Sequence, residues 1–348
     1  MNSHVQTKKL RTGVIGLGHW GPNLVRNFSD HPKVDLTHVC DIVPSSFDRV
    51  EYLIPKSCTK TTKTPEVINN SEIDAVVIAT PSSTHFALVK ASLLAGKHVF
   101  CEKPLTLETE KDKELCDLAD QLGLQLMVGF NFIFNPGIKK LKELIQNQRL
   151  GELYSITTKR THMGLIREDS SVAWDLAPHD VAIMNYLLDA SPQRVSAVGS
   201  YPLGMDKLGI AFIHLFYASG VIGQIHVSWV DSNKERMVSV IGSKARAVFD
   251  DLNSLEPVRL FEKGIGLDDK IESDFGKFKF LLRDGDIISP KIESQEPLKL
   301  ITDAFVNAAL DNAPNICGGS FALNVSRSIM AAHKSIANFG ASEYVVSQ

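Results

Sequence analysis

The first 128 residues alternate short, continuously apolar runs with segments whose apolar residues recur at helical spacing. Apolar runs of about four to eight residues predict strands buried on both faces, and a period of about 3.6 residues predicts amphipathic helices. The predicted strands are 11–15, 34–40, 73–80, 98–101 and 124–128, and the helices between them are 22–28, 45–53, 85–95 and 108–122. This alternation predicts a doubly wound parallel sheet with helices on both faces.

After residue 129 the predicted strands no longer alternate with helices. The strands are 153–161, 195–200, 210–217, 221–230, 237–241 and 245–249, and the helices are 136–148, 176–188, 298–310 and 321–339. The short link 217–220 ends in glycine and predicts a hairpin, while the polar stretch 252–295 gives only weak strand signals. The fold class is therefore α/β. A parallel-sheet domain over 8–128 precedes a largely antiparallel α/β domain over 129–348, whose final helices are candidates to pack back on the first domain.

The composition excludes several classes of function. The chain of 348 residues has a formal net charge of −3, which argues against nucleic acid as the main partner. Its five cysteines are scattered and form no C-x-x-C pair, so neither a disulfide framework nor a metal site is predicted, and a reducing cytoplasm is expected. The polar N-terminus lacks a signal-type apolar core, and no apolar run reaches the ~18 residues of a membrane span.

A G-x-G-x-x-G sequence lies between the first predicted strand and the first predicted helix. It consists of Gly16, Gly18 and Gly21, with His19 and Trp20 inside the loop. Glycines at this place let the backbone approach a pyrophosphate, and the helix N-terminus supplies amide donors and positive potential. A glycine triplet can also be a plain structural turn, but the flanking strand and helix favour a dinucleotide site.

Asp41 lies twenty residues after Gly21, at the end of the next predicted strand. An acid at that place is expected to bind a ribose hydroxyl. Its charge would repel a 2′-phosphate, and the next residue is Ile42 rather than an arginine. The cofactor is therefore predicted to be NAD, with NADP less favoured. The alternative for Asp41 is a turn-forming residue before Pro44.

Two polar segments follow predicted strands at the carboxyl edge of the sheet, where ligands bind in such folds. In the first, the cofactor candidates are Thr80, Pro81, Ser82 and His85. The alternatives are that a hydroxyl of residues 82–84 caps the next helix and that His85 only covers the start of that helix.

The second segment, C-E-K-P-L, places Glu102, Lys103 and Pro104 directly after an apolar strand. It is either a surface turn or a catalytic lysine at a strand end. A cis bond before Pro104 would aim the lysine, and Cys101 is expected to be the buried end of the strand rather than a nucleophile.

The segment W-D-L-A-P-H-D begins a predicted helix in the second domain. Asp175 is expected to be the N-cap, which places Pro178 in the first turn and His179 one turn after Asp175. Such an Asp–His pair can fix the imidazole tautomer and stabilise its charged form, as a general base requires. The alternatives are a plain helix cap and a structural histidine, and Asp180 is expected to be a first-turn charge.

These motifs, at these intervals, resemble the glucose–fructose oxidoreductase / inositol dehydrogenase / MocA (Gfo/Idh/MocA) family. The likeness covers nearly the whole chain, and E-K-P is its most specific element. It implies a Rossmann domain followed by an open-faced α/β domain whose sheet often mediates dimers or tetramers. It also implies an oxidoreductase that binds NAD or NADP and acts on sugars, polyols or nucleotide sugars. No membrane partner is expected, because no apolar run is long enough to span a bilayer.

The resemblance also implies roles for single residues. Lys103 matches the lysine that contacts the reacting hydroxyl, and Glu102 matches the acid of the same motif. Asp175 and His179 match an aspartate and a histidine that face the nicotinamide. Asn131 lies in a segment that enters the cleft in this family and is a candidate to contact cofactor and substrate; many relatives carry an arginine near Ile133, where this chain is apolar.

The remaining substrate candidates lie in the second domain. Arg160 and His162, late in its first strand, are candidates for binding a diphosphate or sugar, with sheet-face residues as the alternative. Arg167 and Trp174, just before the Asp–His pair, are further candidates.

The nucleotide-sugar members resemble this chain more than the free-polyol members do. The expected reaction is oxidation of the 3-hydroxyl of a UDP-N-acetylhexosamine, most simply UDP-N-acetylglucosamine. The 3-keto product would feed an aminotransferase that makes an amino sugar for a surface glycan of the lipopolysaccharide or lipid A type. UDP-N-acetylglucosaminuronate and inositol or a free sugar are rival substrates, and an NAD-sensing regulatory protein is the non-enzyme alternative.

Overall fold

The chain divides into two compact units, Met1–Phe134 with Glu296–Ser326 and Asn135–Gln295 with Arg327–Gln348. The structure is a computed structural model, and it describes residues 8–164, 166, 170–202, 207–267 and 280–345. Within these residues, no helix is both long and apolar enough to cross a bilayer.

The first unit contains a six-stranded parallel sheet in the order β3-β2-β1-β4-β5-β6. Its strands are β1 (Leu10–Ile15), β2 (Val34–Cys40), β3 (Thr59–Thr61), β4 (Ala75–Ile78), β5 (His98–Cys101) and β6 (Leu126–Val128). Its helices are α1 (Gly21–Ser29), α2 (Thr64–Ile68), α3 (His85–Leu94), α4 (Thr109–Leu122) and α8 (Pro297–Asp311). This strand order is that of a dinucleotide-binding doubly wound fold, which confirms the predicted class.

Aromatic packing joins α8 to this sheet. Phe28 of α1, Phe100 of β5 and Phe305 of α8 form an edge-to-face cluster with ring centroids 5.7–6.0 Å apart. All three side chains are fully buried. Such pairs contribute about 0.5–1.5 kcal/mol each beyond the area they bury. The region 45–53 differs from the predicted α-helix because it forms a 3₁₀ helix over Pro44–Arg49.

The second unit contains a nine-stranded sheet in the order β16-β13-β12-β11-β7-β10-β9-β8-β17. Its strands are β7 (Leu153–Met163), β8 (Arg194–Ser200), β9 (Ile210–Phe216), β10 (Ile222–Ser228), β11 (Val230–Gly242), β12 (Arg246–Asp250), β13 (Val258–Phe261), β16 (Ile287–Ile288) and β17 (Glu343–Tyr344). Strands β14 (Gly264–Leu267) and β15 (Phe280–Arg283) pair separately. The β7–β10 pair is parallel and the other described pairs of the large sheet are antiparallel, so the sheet is mixed.

Helices cover one face of this sheet. They include α5 (Pro136–Gln146), α6 (Val172–Asp175) and α7 (Ala177–Leu188), while α9 (Gly319–Ala337) contributes residues to both units. A Cβ at Gly223 of β10 would lie 2.6 Å from the sulfur of Met184, so α7 lies directly on this strand. Ile222 therefore points to the opposite face and is 44% exposed, as expected from the alternation of side chains along a strand. The predicted hairpin is confirmed by antiparallel β9 and β10, with Gly220 at φ +84° in the turn.

Candidate active site

The three loop glycines of the first unit have three different structural roles. Gly16 has φ +98°, and a Cβ there would lie 2.6 Å from the backbone of Ala79. A Cβ at Gly21 would lie 2.2 Å from the carbonyl oxygen of Gly16, so only glycine allows the helix this close to the strand. Gly18 faces open space, with no heavy atom within 4 Å of a Cβ built there. The loop therefore fits a pyrophosphate, because Gly18 leaves the backbone open to it at the start of α1.

Asp41 is held at the end of β2 by two backbone groups. Its Oδ2 accepts a hydrogen bond from the N–H of Leu17 at 2.7 Å, and its Oδ1 accepts one from the N–H of Val43 at 2.8 Å. The second bond forms a local turn, so Asp41 also has the turn-forming role that was the alternative in the sequence. The first bond places the carboxylate beside the glycine loop, where it fits the ribose role. His19 and Trp20 are exposed on the same loop.

The segment after β4 forms a short 3₁₀ turn, Ser82–Thr84, that leads into α3. No side chain caps either helix, so the alternative of a hydroxyl cap is wrong. The Thr84 hydroxyl lies 2.7 Å from both Oγ1 of Thr80 and the carbonyl oxygen of Pro81 instead. Thr80 and Ser82 are half-buried and Pro81 is exposed at this carboxyl edge of the sheet.

His85 joins this segment to the E-K-P turn. Its Nε2 lies 2.9 Å from the carbonyl oxygen of Thr80, and its Nδ1 lies 2.9 Å from that of Pro104. Only 1% of the residue is exposed. This geometry favours a structural role, in which the imidazole fixes two loops relative to each other, over direct contact with the cofactor.

The E-K-P turn places Lys103 just beyond the end of β5. The Lys103–Pro104 bond is cis, as expected. Oε2 of Glu102 accepts a hydrogen bond from the backbone N–H of Lys103 at 3.3 Å, and its carboxylate packs against Gly129. Burial raises the pKa of the Cys101 thiol, and the Glu102 charge adds to that shift, so Cys101 is unsuited to be a nucleophile.

Asn131 begins a short 3₁₀ turn, Asn131–Phe134, directly after β6. Its side chain is half-buried, while Ile133 is fully buried and belongs to the core. Asn131 is therefore the polar side chain that this turn offers at the carboxyl edge of the sheet.

In the second unit, the W-D-L-A-P-H-D segment forms two helices instead of one. Ser171 is the N-cap of α6, and its Oγ accepts a hydrogen bond from the N–H of Trp174 at 3.3 Å. Because α6 ends at Asp175 and α7 starts at Ala177, the predicted N-cap at Asp175 is wrong. Pro178 lies in the first turn of α7 as predicted, and His179 follows it, half-buried.

The carboxylate of Asp175 has a partner that the sequence did not reveal. The indole Nε1 of Trp229 donates a hydrogen bond to Oδ2 of Asp175 at 3.1 Å, and Trp229 is 2% exposed. Trp229 lies near the apolar end of the predicted strand 221–230, so nothing in that pattern placed it at the site. A buried tryptophan does need a hydrogen-bond acceptor for its indole N–H, and this need was the one clue that the sequence contained. Trp174, a substrate candidate, is 8% exposed and stacks on His333 with centroids 6.1 Å apart, which favours a packing role.

Arg160 forms a buried ion pair. Its Nε and Nη2 donate to the two carboxylate oxygens of Asp180 at 2.9 and 3.2 Å, and the residues are 6% and 1% exposed. Burial raises the pKa of Asp180, and the guanidinium of Arg160 counters that shift. Asp180 lies in the first turn of α7, as expected, but it is buried and paired there. The pairing favours the sheet-residue alternative for Arg160 over substrate binding.

His162 remains the substrate candidate at the end of β7. It is half-buried, and burial lowers its pKa while the carboxylate of Asp175 opposes the shift. Lys234 and Arg236 of β11 also act on it electrostatically. The predicted candidate Arg167 lies outside the described residues.

Two family models match the chain. The model described as "Oxidoreductase family, NAD-binding Rossmann fold" matches residues 10–130, and the model of the GFO/IDH/MocA C-terminal domain matches residues 138–248. The two matches lie in the two units described above.

Characterised relatives include dehydrogenases of two substrate classes. The chain is 30% identical to the myo-inositol 2-dehydrogenase of Thermotoga maritima, over 73% of this chain and 79% of that one. It is 26% identical to the UDP-N-acetylglucosamine 3-dehydrogenase of Acidithiobacillus ferrooxidans, over 89% of this chain and 92% of that one. A solved structure of the latter protein superposes with a TM-score of 0.79 at 24% identity, covering 96% of this chain and 99% of that one.

The glycine loop, the acid at the end of β2 and the E-K-P turn thus occur in a chain that matches these models over both units. It is an NAD-dependent dehydrogenase acting on CH–OH groups, and the chain belongs to the Gfo/Idh/MocA family of oxidoreductases.

Proposed function

We propose that this protein oxidises the 3-hydroxyl of a UDP-N-acetylhexosamine, most simply UDP-N-acetylglucosamine, to a 3-keto nucleotide sugar. The observation that carries this proposal is the likeness to a UDP-N-acetylglucosamine 3-dehydrogenase over 89% of the chain. The match to the myo-inositol 2-dehydrogenase is higher in identity but covers 73% of the chain. The reaction is placed in the cytoplasm, because the scattered cysteines predict a reducing compartment.

Each site residue then has a distinct task. NAD, when bound, supplies the hydride acceptor. The ammonium of Lys103 stabilises negative charge that develops on the substrate oxygen, and His179 accepts the hydroxyl proton. Asp175 stabilises the imidazolium that forms on His179. Glu102 holds the backbone of Lys103 through the bond described above, so that the lysine is fixed at the end of β5.

The rival substrates differ in the cations that they need. UDP-N-acetylglucosaminuronate carries an additional carboxylate, and the buried Ile133 offers no charge for it. An inositol or free sugar needs no diphosphate contact, and the pairing of Arg160 with Asp180 removes one candidate for that contact. This pairing is the specific observation in favour of a free-polyol substrate, which we keep as the second candidate.

The test is an assay of NAD reduction with a panel of UDP-sugars, inositols and free sugars. Because oxidation of the alcohol is thermodynamically unfavourable, a ketone trap or a coupled aminotransferase removes the product. We expect UDP-N-acetylglucosamine to be turned over and Lys103→Met and His179→Asn to lower kcat by about a hundredfold or more. Turnover of an inositol with no UDP-sugar reacting would refute the substrate, and unimpaired variants would refute the mechanism.

We also propose that the protein forms a dimer or tetramer through the uncovered face of the nine-stranded sheet. Phe212, Ile222 and Val198 lie on adjacent strands of this sheet and are 38%, 44% and 51% exposed. The aminotransferase that consumes the 3-keto product is the expected functional partner, because a keto group next to an N-acetyl group is reactive and is best used at once.

A further inference from the structure

We propose that Trp229 is a positioning residue of the active site, whose indole N–H holds the carboxylate of Asp175 in its working orientation. The inference rests on the proposed function, since it assigns Asp175 a part in proton transfer. It adds a residue that the family motifs discussed above do not contain.

The donor itself is rigidly placed. Trp229 links β10 to β11, and its backbone N–H donates to the carbonyl oxygen of Gly209 at 3.0 Å. The hydroxyl of Ser228 accepts a hydrogen bond from the N–H of Val230 at 3.1 Å, which fixes the residues on either side. With 2% of Trp229 exposed, its ring has no room to rotate. The N–H of the indole therefore points in one direction.

The acceptor is on a less regular element. Asp175 is the last residue of α6, which has four residues, and Leu176 separates it from α7. A single helical turn fixes a side chain less firmly than a long helix does. The hydrogen bond of 3.1 Å from Trp229 therefore fixes the orientation of the Asp175 carboxylate, which α6 alone would not fix. Because an indole has a donor and no acceptor, it suits a carboxylate and not a group that must itself donate.

Substitution of Trp229 removes this bond without altering the charged groups of the region. The charged and titratable groups around this region are His162 and Arg160 of β7, Lys234 and Arg236 of β11, and His179 and Asp180 of α7. None of them is changed by substitution of Trp229, so a fall in the kcat of that variant reports on the indole.

The variant Trp229→Phe keeps an aromatic ring and removes the donor. We expect kcat to fall about tenfold or more and the KM for NAD to change less than about twofold. The matched control is Tyr217→Phe, which removes another buried donor in the same unit, a hydroxyl 2.9 Å from Oδ1 of Asn185. This control should lose stability and keep its kcat.

A second measurement needs no substrate. The chain has three tryptophans, so protein labelled with ¹⁵N-tryptophan gives three indole signals, and the one missing in Trp229→Phe belongs to Trp229. That signal should move in Asp175→Asn and stay in place in Asp117→Asn, a change at an exposed carboxylate.

The outcomes separate the two proposals. If the chemical shift of the Trp229 indole is the same in the wild type and in Asp175→Asn, the contact is refuted, whatever the substrate. A signal that moves, together with a Trp229→Phe enzyme whose kcat equals that of Tyr217→Phe, would overturn the positioning role. If the substrate is a polyol instead of a UDP-sugar, the kinetic measurements are made with that polyol and only the substrate proposal fails.

Discussion

Arg160 forms a buried ion pair with Asp180, although its charge made it a candidate ligand for a substrate diphosphate. A bidentate bond to a buried carboxylate satisfies both groups, and removing one partner leaves the other charged and buried. The sequence could not reveal this pairing because Arg160 and Asp180 are twenty positions apart, on a strand and a helix. Hydrophobic periodicity predicts which face of a strand or helix a residue lies on, but it does not identify the residue with which that side chain pairs.

We expect Arg160→Ala to lower the free energy of unfolding of the second unit by about 3–5 kcal/mol, because Asp180 is left without its cation. Chemical unfolding measures this loss. Arg149→Ala, which breaks an exposed pair with Glu262, is the matched control and should cost about 0–1 kcal/mol. Equal losses in the two variants would contradict the buried pair.

Asp112 provides a second test at the scale of one residue. It is fully buried in α4, and burial raises its pKa to about 6, with the hydroxyls of Ser326 and Thr106 opposing that shift. The folded state therefore favours the protonated acid. The corresponding stability is present below the unfolded pKa of 3.8 and is lost as the pH rises through about 6.

Asp112→Asn should consequently stabilise the first unit at pH 8 and have little effect at pH 4. The shift of about two pKa units corresponds to an upper limit of about 3 kcal/mol. Thermal unfolding at both pH values measures the difference. The exposed Asp117→Asn on the same helix should show no such pH dependence, and a parallel response of the two variants would rule out the assignment.

At the scale of elements, most strands and helices followed from hydrophobic periodicity alone. β3 was missed because its residues, Thr-Lys-Thr, carry no apolar signal. α6 was missed because Ser171 caps a helix too short to show a period. The predicted cap at Asp175 was wrong for the same reason, since α6 had already begun three residues earlier, at Val172.

The glycine loop gives the sharpest test of an element. Gly18→Ala should fold with unchanged stability, because its Cβ would meet open space, but should weaken NAD binding about tenfold or more by blocking the approach of the pyrophosphate. Gly16→Ala should instead destabilise the fold by about 1–2 kcal/mol or more, because of its positive φ and the contact with Ala79. Calorimetric titration and thermal unfolding separate the two effects. Tight NAD binding by Gly18→Ala would contradict the assigned site.

At the scale of the whole molecule, the sequence predicted both the parallel and the largely antiparallel sheet. It left the final helices as candidates to pack back on the first domain, and residues 296–326 do belong to the first compact unit. The sequence could not name the partners of α8 in α1 and β5, because α8 shows only an apolar face. The edge-to-face packing of Phe305 decides that placement.

Association through the uncovered sheet face is testable at this scale. Phe212→Glu should lower the mass in solution to that of the monomer, because a charge replaces an apolar side chain at the proposed contact. Leu255→Glu, at a residue that is 91% exposed and off the strands of this sheet, should leave the assembly intact. Light scattering gives the masses. A wild-type protein that is monomeric would refute the assembly outright.

Isotope transfer identifies the carbon that the enzyme oxidises. The protein is incubated with NAD and UDP-N-acetylglucosamine that carries deuterium at carbon 3, and the reduced nicotinamide is analysed by mass spectrometry. We expect reduced nicotinamide that carries the deuterium, together with a 3-keto sugar that lacks it. Reduced nicotinamide without deuterium, or no reduction by this sugar while an inositol reacts, would contradict it.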